Sequence, residues 1–208
     1  GDWSSDVCSS DLQADLELVR RIATKADSVS MARFLAQDLV IETKPDSSPV
    51  TDADKATEKA IREILESERP NDGILGEEFG SDITGKNRYW VIDPIDGTKS
   101  FLRGLPVWST LIALVEVNDG VQEVVVGLVS SPALARTWFA TKGGGAFTTF
   151  ATQNNGQPRK ISVSKVSEIK DAHVGYSDFV GFGDRLNGFQ SIINDAWRTR
   201  AVGDFWSH

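Results

Sequence analysis

Trp90-Val91-Ile92-Asp93-Pro94-Ile95-Asp96-Gly97-Thr98 is an apolar run that ends in two carboxylates, a proline, a glycine and a threonine. Val91 and Ile92 have the β-branched character of a buried strand, and the residue before a proline is held in extended backbone. Asp93 is therefore delivered at the strand's tip. Pro94 is expected to turn the chain there, so that Asp96 can share a target with Asp93. Gly97 lets the backbone approach a ligand closely, and Thr98 offers a hydroxyl at the start of a short helix. Gly76-Glu77-Glu78 forms a short acidic loop upstream. Such a set suits hard cations and a phosphate group.

The electrostatics bear on the cation. Two carboxylates about 4 Å apart repel by roughly 4 kcal/mol at an effective dielectric of about 20. Bringing Glu77, Asp93 and Asp96 together multiplies that cost, so either some of them protonate or a metal neutralises them. An all-oxygen set suits magnesium, manganese or calcium. Zinc is disfavoured, because the only histidines are His173 and His208 and the only cysteine is Cys8. Alone, Asp-Pro-x-Asp-Gly reads equally well as an ordinary acidic turn. The glutamate pair upstream and Thr98 downstream shift the balance toward a site.

At 208 residues, 40% apolar and 25% charged, the chain has the composition of a globular protein with a real core. A net charge of −8 argues against nucleic acid or an anionic membrane as the main partner. An anionic substrate would then be met through bound metal instead of a basic field. No apolar run reaches the length of a membrane span, and the first residues lack the pattern of a signal peptide. A single cysteine fits a reducing compartment, with the cytoplasm as the default.

Residues 1–13 show neither helical nor strand periodicity and read as a polar, non-native-looking extension. From Leu12 a helical stripe of Leu12, Leu16, Val19, Ala23 and Ala26 runs toward Phe34, followed by the strand-like Leu39-Val40-Ile41. Thr51 is an expected N-cap for a second helix whose buried face is Ala53, Ala56, Ala60, Ile61, Ile64 and Leu65. Asp54 sits in its first turn, where the helix dipole favours a negative charge. Strands are expected at 74–75, 89–92, 110–117, 121–129, 137–140, 160–163 and 172–176. Asn118-Asp119-Gly120 is a hairpin turn, and Lys142-Gly143-Gly144-Gly145 a strand connection without phosphate-loop spacing. A helix over 184–193, a strand over 196–200 and a helix opening at Gly203 complete the chain. Trp90, Trp108 and Trp197 are read as packing residues. Two helices against a mostly antiparallel sheet imply a layered α+β arrangement. Residues 14–150 form an N-terminal metal- and phosphate-binding domain, and 151–208 begin a C-terminal α/β domain.

Pro49-Val50-Thr51-Asp52-Ala53-Asp54, Gly76-Glu77-Glu78 and Asp93-Pro94-Ile95-Asp96-Gly97-Thr98 together resemble the N-terminal signatures of the inositol monophosphatase superfamily of magnesium-dependent phosphatases. Three further stretches resemble one branch, the bacterial histidinol-phosphatases: Glu42-Thr43-Lys44-Pro45-Asp46, Gly104-Leu105-Pro106-Val107-Trp108, and residues 198–207. The resemblance implies an αβαβα sandwich whose second α/β layer is incomplete. It also implies a Trp-Asp motif whose aspartate completes a second metal site. Residues 1–208 hold no such pair, so the chain is read as C-terminally truncated.

The resemblance assigns roles residue by residue. Glu77, Asp93 and the backbone carbonyl of Ile95 would hold one Mg2+, and Asp93 and Asp96 a second, with two or three ions per site. The amides of Gly97 and Thr98 would cradle the phosphate, while Thr98 and Asp54 orient and deprotonate the attacking water. Glu78 would support the metal ligands as an acceptor behind them. Asp204 is expected to contact the cationic histidinol head group, and Arg200 is either a cleft residue or an exposed strand residue. The implied partner is a small phosphorylated substrate, with homodimers common in the family. The leading reading is hydrolysis of histidinol phosphate in histidine synthesis. An inositol-1-phosphate or broad sugar-phosphate phosphatase is the alternative on the same fold, and an inactive metal-binding fragment the alternative of another class.

Overall fold

The computed structural model describes residues 4–45, 48–179 and 182–201. Helix α1 spans Ser4–Arg33, and every member of the expected stripe from Leu12 to Ala26 is buried. The helix starts well before that stripe: Ser4 to Ser10, read from the sequence as an aperiodic tail, are helical. They contain neither proline nor glycine, so nothing local breaks a helix that the later stripe anchors.

Strands β1 (Ile41–Thr43) and β2 (Pro49–Thr51) pair as an antiparallel hairpin. Helix α2, Asp52–Glu68, follows directly. Thr51 caps it as expected, accepting from the amides of Ala53 and Asp54 while Asp54 returns a bond to the Thr51 amide. Of the expected buried face, Ala53, Ala60, Ile61 and Leu65 are buried and Ile64 packs against the core. Ala56 is exposed, and Asp54, Thr57 and Glu58 are buried beside Ile61 and Leu65. The apolar residues mark most of the face and miss its polar part, because three polar side chains belong to it.

The main sheet has seven strands in sequential order: β3 (Gly73–Gly76), β4 (Arg88–Asp96), β5 (Ser109–Asn118), β6 (Val121–Ser131), β7 (Arg136–Thr141), β8 (Gly145–Phe150) and β9 (Arg159–Ile161). Only β3 and β4 run parallel; the remaining pairs are antiparallel. Strand β8 is not among those anticipated. The β5–β6 connection is a tight turn with Asp119 and Gly120 at positive φ, and Lys142 to Gly145 connect β7 to β8. Between β4 and β5 lies the short helix α3, Thr98–Leu102. Helix α4, Leu186–Asp195, connects β10 (His173–Tyr176) to β11 (Arg198–Ala201), which form a separate parallel pair.

Helices α1 and α2 cover one face of the sheet. Their apolar stripes meet Trp90, Ile92, Ile112, Leu114, Val126 and Leu128, alternate residues of adjacent strands. A second cluster of Ala53, Ile95, Phe101 and Trp108 packs beneath the start of α2, with the Phe101 and Trp108 rings edge to face at 4.9 Å. Trp90 and Trp108 are fully buried, as expected, whereas Trp197 is 65% exposed and is no core residue. Buried Asp15 of α1 ties this layer together by pairing with Arg69 at 2.9 Å and with Arg88 of β4. Among the described residues no helix is long and apolar enough to cross a membrane.

Strand β4 does not turn at Pro94. It runs extended through Asp96, with a register shift in which Asp93 faces Leu111 and Asp96 faces Ser109. Three steps along β4 thus match two along β5, a β-bulge of one extra residue. Proline has no amide to give to the ladder, and its carbonyl is instead satisfied by the Thr110 hydroxyl at 2.9 Å. In a regular strand, residues three apart point to opposite faces. The bulge removes that opposition and puts Asp93 and Asp96 on one face.

Asp27 of α1 accepts from Ser130 of β6 at 2.8 Å, while its other carboxylate oxygen is buried without a partner. Burial pushes its carboxyl up to about 6 from 3.8, against the lowering effect of the Ser130 bond. The folded state therefore binds this proton more tightly than the unfolded chain. The stability it contributes is complete below about pH 4 and is lost as pH rises through about 6. Asp27→Asn should raise the melting temperature at pH 7.5, with the gain disappearing near pH 4. A pH-independent difference between the two proteins would show that Asp27 is not buried as described.

Candidate functional site

Three segments converge on one group of acids: the start of α2, the loop leaving β3, and the bulged end of β4. Asp54 is held by its own helix cap. Its Oδ2 accepts from the Thr51 amide at 2.8 Å and from the Thr51 hydroxyl at 2.6 Å. Its Oδ1 faces the Thr98 hydroxyl at 3.4 Å. That hydroxyl lies closer to the Ile95 carbonyl, at 3.1 Å, and its single proton can serve only one acceptor at a time. Gly97 precedes α3 with φ 90°, in the left-handed region where a side chain is strained. This is where the chain leaves the strand, one residue past Asp96 and three past the proline.

Glu77 and Glu78 diverge in their surroundings. The Glu77 side chain is 42% exposed and that of Glu78 4%. Both accept from the ammonium of Lys44, each at 2.7 Å. Lys44 follows β1 and reaches over the acidic loop from the β1–β2 hairpin. Sequence reasoning gave it no role, although it lies in the stretch from Glu42 to Asp46 quoted above. The available signal was a lone cation in an acidic neighbourhood, and nothing in the local spacing says which acids it meets.

The mutual effects of these groups follow from burial and proximity. Burial first, then Glu77, to which it is also hydrogen-bonded, and then Asp96 and Asp54 together drive the Asp93 carboxyl up to about 9. Asp54 is raised by burial, with the two bonds from Thr51 opposing and Glu77 reinforcing. Glu78 is likewise raised by burial, and Lys44 pulls it back. For Lys44 burial acts downward, but its two glutamates outweigh that and hold the ammonium above its ordinary range. Crowded carboxylates short of positive charge behave in this way.

The donor set fits a hard divalent cation. Asp93, Asp96 and Glu77 offer only oxygen, and Asp93 Oδ1 is buried with no hydrogen-bond partner. Among the described residues, no three acidic, histidine or cysteine side chains already stand closed around a common point. The engagement of Glu77 by Lys44 is a physical reason, since an ammonium already draws that carboxylate toward itself. The Ile95 carbonyl, the expected backbone ligand, receives the Thr98 hydroxyl.

Two expected substrate residues fare differently. Arg200 is exposed on β11 and donates to the neighbouring Thr199 carbonyl at 2.8 Å. Among the described residues it has no bond to Glu77, Asp93 or Asp96. Asp204 lies outside the described residues.

The chain matches the model of the inositol monophosphatase family over residues 11–203. It is 50% identical over 196 residues to a histidinol-phosphatase of Streptomyces coelicolor, covering 93% of this chain and 72% of that protein. A histidinol-phosphatase of Mycobacterium tuberculosis is 47% identical over 93% of the chain and 73% of its own length. Among solved structures, the extragenic suppressor protein suhB from Bartonella henselae superposes with a TM-score of 0.78 at 27% identity, covering 92% of this chain and 71% of that one.

Replacing Lys44 tests the electrostatic arrangement directly. In Lys44→Met the Glu78 carboxyl loses the partner that opposes its burial, so its titration, followed by carboxyl-carbon NMR, should move to higher pH. An unchanged Glu78 titration would mean that the lysine bridge does not form in solution.

Proposed function

The chain belongs to the inositol monophosphatase family, and from that premise we propose that it hydrolyses histidinol phosphate to histidinol and phosphate, with magnesium as cofactor. The observation that carries the chemistry is the pairing of Asp93 and Asp96 on one face of a bulged strand, beside Glu77, with Asp93 Oδ1 buried and unmatched. The substrate rests on two relatives named histidinol-phosphatase at 50% and 47% identity across 93% of the chain. The same reading places the reaction in histidine synthesis in the cytoplasm, in keeping with a single cysteine.

In this reading Glu77, Asp93, Asp96 and the Ile95 carbonyl hold the magnesium ions. Bound there, magnesium supplies Lewis acidity, which stabilises charge on the phosphoryl oxygens and acidifies the attacking water. Asp54 and Thr98 orient that water and take its proton. A buried carboxylate with a raised proton affinity is the better base for this step. The amides of Gly97 and Thr98 turn toward the phosphate. Helix α3 is only five residues long, so these donors act through direct hydrogen bonds more than through a helix dipole. Glu78 steadies the loop that carries Glu77. Histidinol phosphate carries an ammonium and an imidazole that is partly cationic near neutral pH, so a carboxylate such as Asp204 near the phosphate would select it over a neutral polyol.

Phosphate release from histidinol phosphate and from inositol 1-phosphate, with and without Mg2+, tests the reading. Faster release from the histidinol ester, lost without Mg2+ and in Asp93→Asn, is the expected result. Preference for the inositol ester would keep the chemistry and remove the substrate assignment. Release that persists in Asp93→Asn would remove the site. Asp204→Ala should narrow the preference between the two esters.

A further inference from the structure

We propose that Glu58 is a positioning residue for this site, holding the acidic loop in place from behind; the inference rests on the metal-dependent reading above. Glu58 lies on α2, one turn after Asp54, and is fully buried. Its carboxylate faces the backbone of the loop that leaves β3. Oε2 accepts from the Glu78 amide at 2.7 Å and Oε1 from the Phe79 amide at 3.3 Å. Arg62, one turn further along the same helix, donates to Glu58 Oε1 at 2.7 Å and to the Gly80 carbonyl at 2.6 Å. The Gly80 carbonyl also accepts from the Gly76 amide at 3.0 Å. The Glu78 and Phe79 amides and the Gly80 carbonyl are thus tied to two side chains of one helix turn, and the Gly76 amide closes the loop onto that same carbonyl.

Gly76 shows how tight this clamp is. A Cβ built there would stand 1.9 Å from Glu58 Oε1 and 2.7 Å from an Arg62 nitrogen. The glycine opening Gly76-Glu77-Glu78 therefore makes room for the Glu58 carboxylate.

The helix that carries Glu58 also presents Asp54 at its first turn. Asp54 and the Glu77–Glu78 loop are consequently referenced to the same rigid element. An ionised carboxylate suits this task because it accepts on both oxygens, whereas a glutamine must offer an N–H to one of the donors it faces. Glu58 holds the loop through its backbone amides and makes no bond to the Glu77 or Glu78 carboxylates, which meet Lys44 instead. Glu58 touches no reacting atom in this arrangement, and its effect passes through where Glu77 stands.

The experiment compares wild type, Glu58→Gln and Arg62→Lys, each confirmed folded by circular dichroism. Amide hydrogen exchange over residues 76–80 reads the clamp without any metal. Mn2+ binding by electron paramagnetic resonance and the Mg2+ dependence of kcat read its consequence. In Glu58→Gln, exchange at Glu78 and Phe79 should quicken, and the Mn2+ dissociation constant should rise roughly 10–100-fold, the range for groups that orient metal ligands. Activity should then recover as Mg2+ is raised, so that the loss falls on metal affinity and not on kcat. Arg62→Lys should move both readouts the same way by less, because Glu58 keeps its amide bonds. Faster exchange with unchanged Mn2+ affinity would reduce Glu58 to a packing residue and overturn the proposal. Unchanged exchange would overturn the clamp itself. Wild-type protein that binds no Mn2+ would instead overturn the metal reading on which the proposal rests.

Discussion

The extra residue at Pro94 is the constraint on which the rest of the site depends. A strand alternates its side chains, so two aspartates three positions apart would face opposite layers. Proline cannot donate to the ladder, the strand bulges, and Asp93 and Asp96 come to the same face opposite Leu111 and Ser109. The Thr110 hydroxyl satisfies the carbonyl that the bulge frees. On the other face of the sheet α1 and α2 are clamped through a continuous apolar layer, and a second register shift lies further along β5, where Leu114 and Val115 face Val126 and Val124. A rigid sheet is what allows one local defect to aim two side chains.

Concentrating acids costs energy, and the fold offsets that cost unevenly. Lys44 bridges Glu77 and Glu78, and Thr51 donates twice to Asp54. Arg62 and two backbone amides neutralise Glu58 behind the loop. Asp93 receives the least relief: its carboxyl is pushed to about 9 by burial and by its acidic neighbours. The support is thus strongest around the rim and weakest at the residue shared by the proposed metal sites. A site organised for a cation has this distribution, since full internal neutralisation would leave nothing for the ion to gain.

Much of this is legible in the linear chain. The stripe from Leu12 to Ala26 has helical period and is buried throughout. Thr51 caps α2 and Asp54 stands in its first turn, both as the sequence suggests. Both signals are local, carried within a turn or two of helix. The failures share the opposite character. Pro94 reads as a turn in the sequence because a lone strand has no partner to bulge against. Ala56 falls on the expected buried face because its chemistry is apolar, while the actual face includes Glu58, whose burial makes sense only beside the amides of another segment. Trp197 has the composition of a packing residue, yet it is exposed.

Which residues can bind and react is written in the chain's order: a short list of acids at spacings that match one family, together with the helices and most of the strands that carry them. The tertiary structure decided which of those acids share a face, which are buried, and which are already paired. Those outcomes depend on strand register, on Lys44 arriving from a hairpin thirty-three residues before Glu77, and on α2 meeting the β3 loop through Glu58. Such contacts join segments distant in sequence, and their energies depend on desolvation. Only the folded chain sets that.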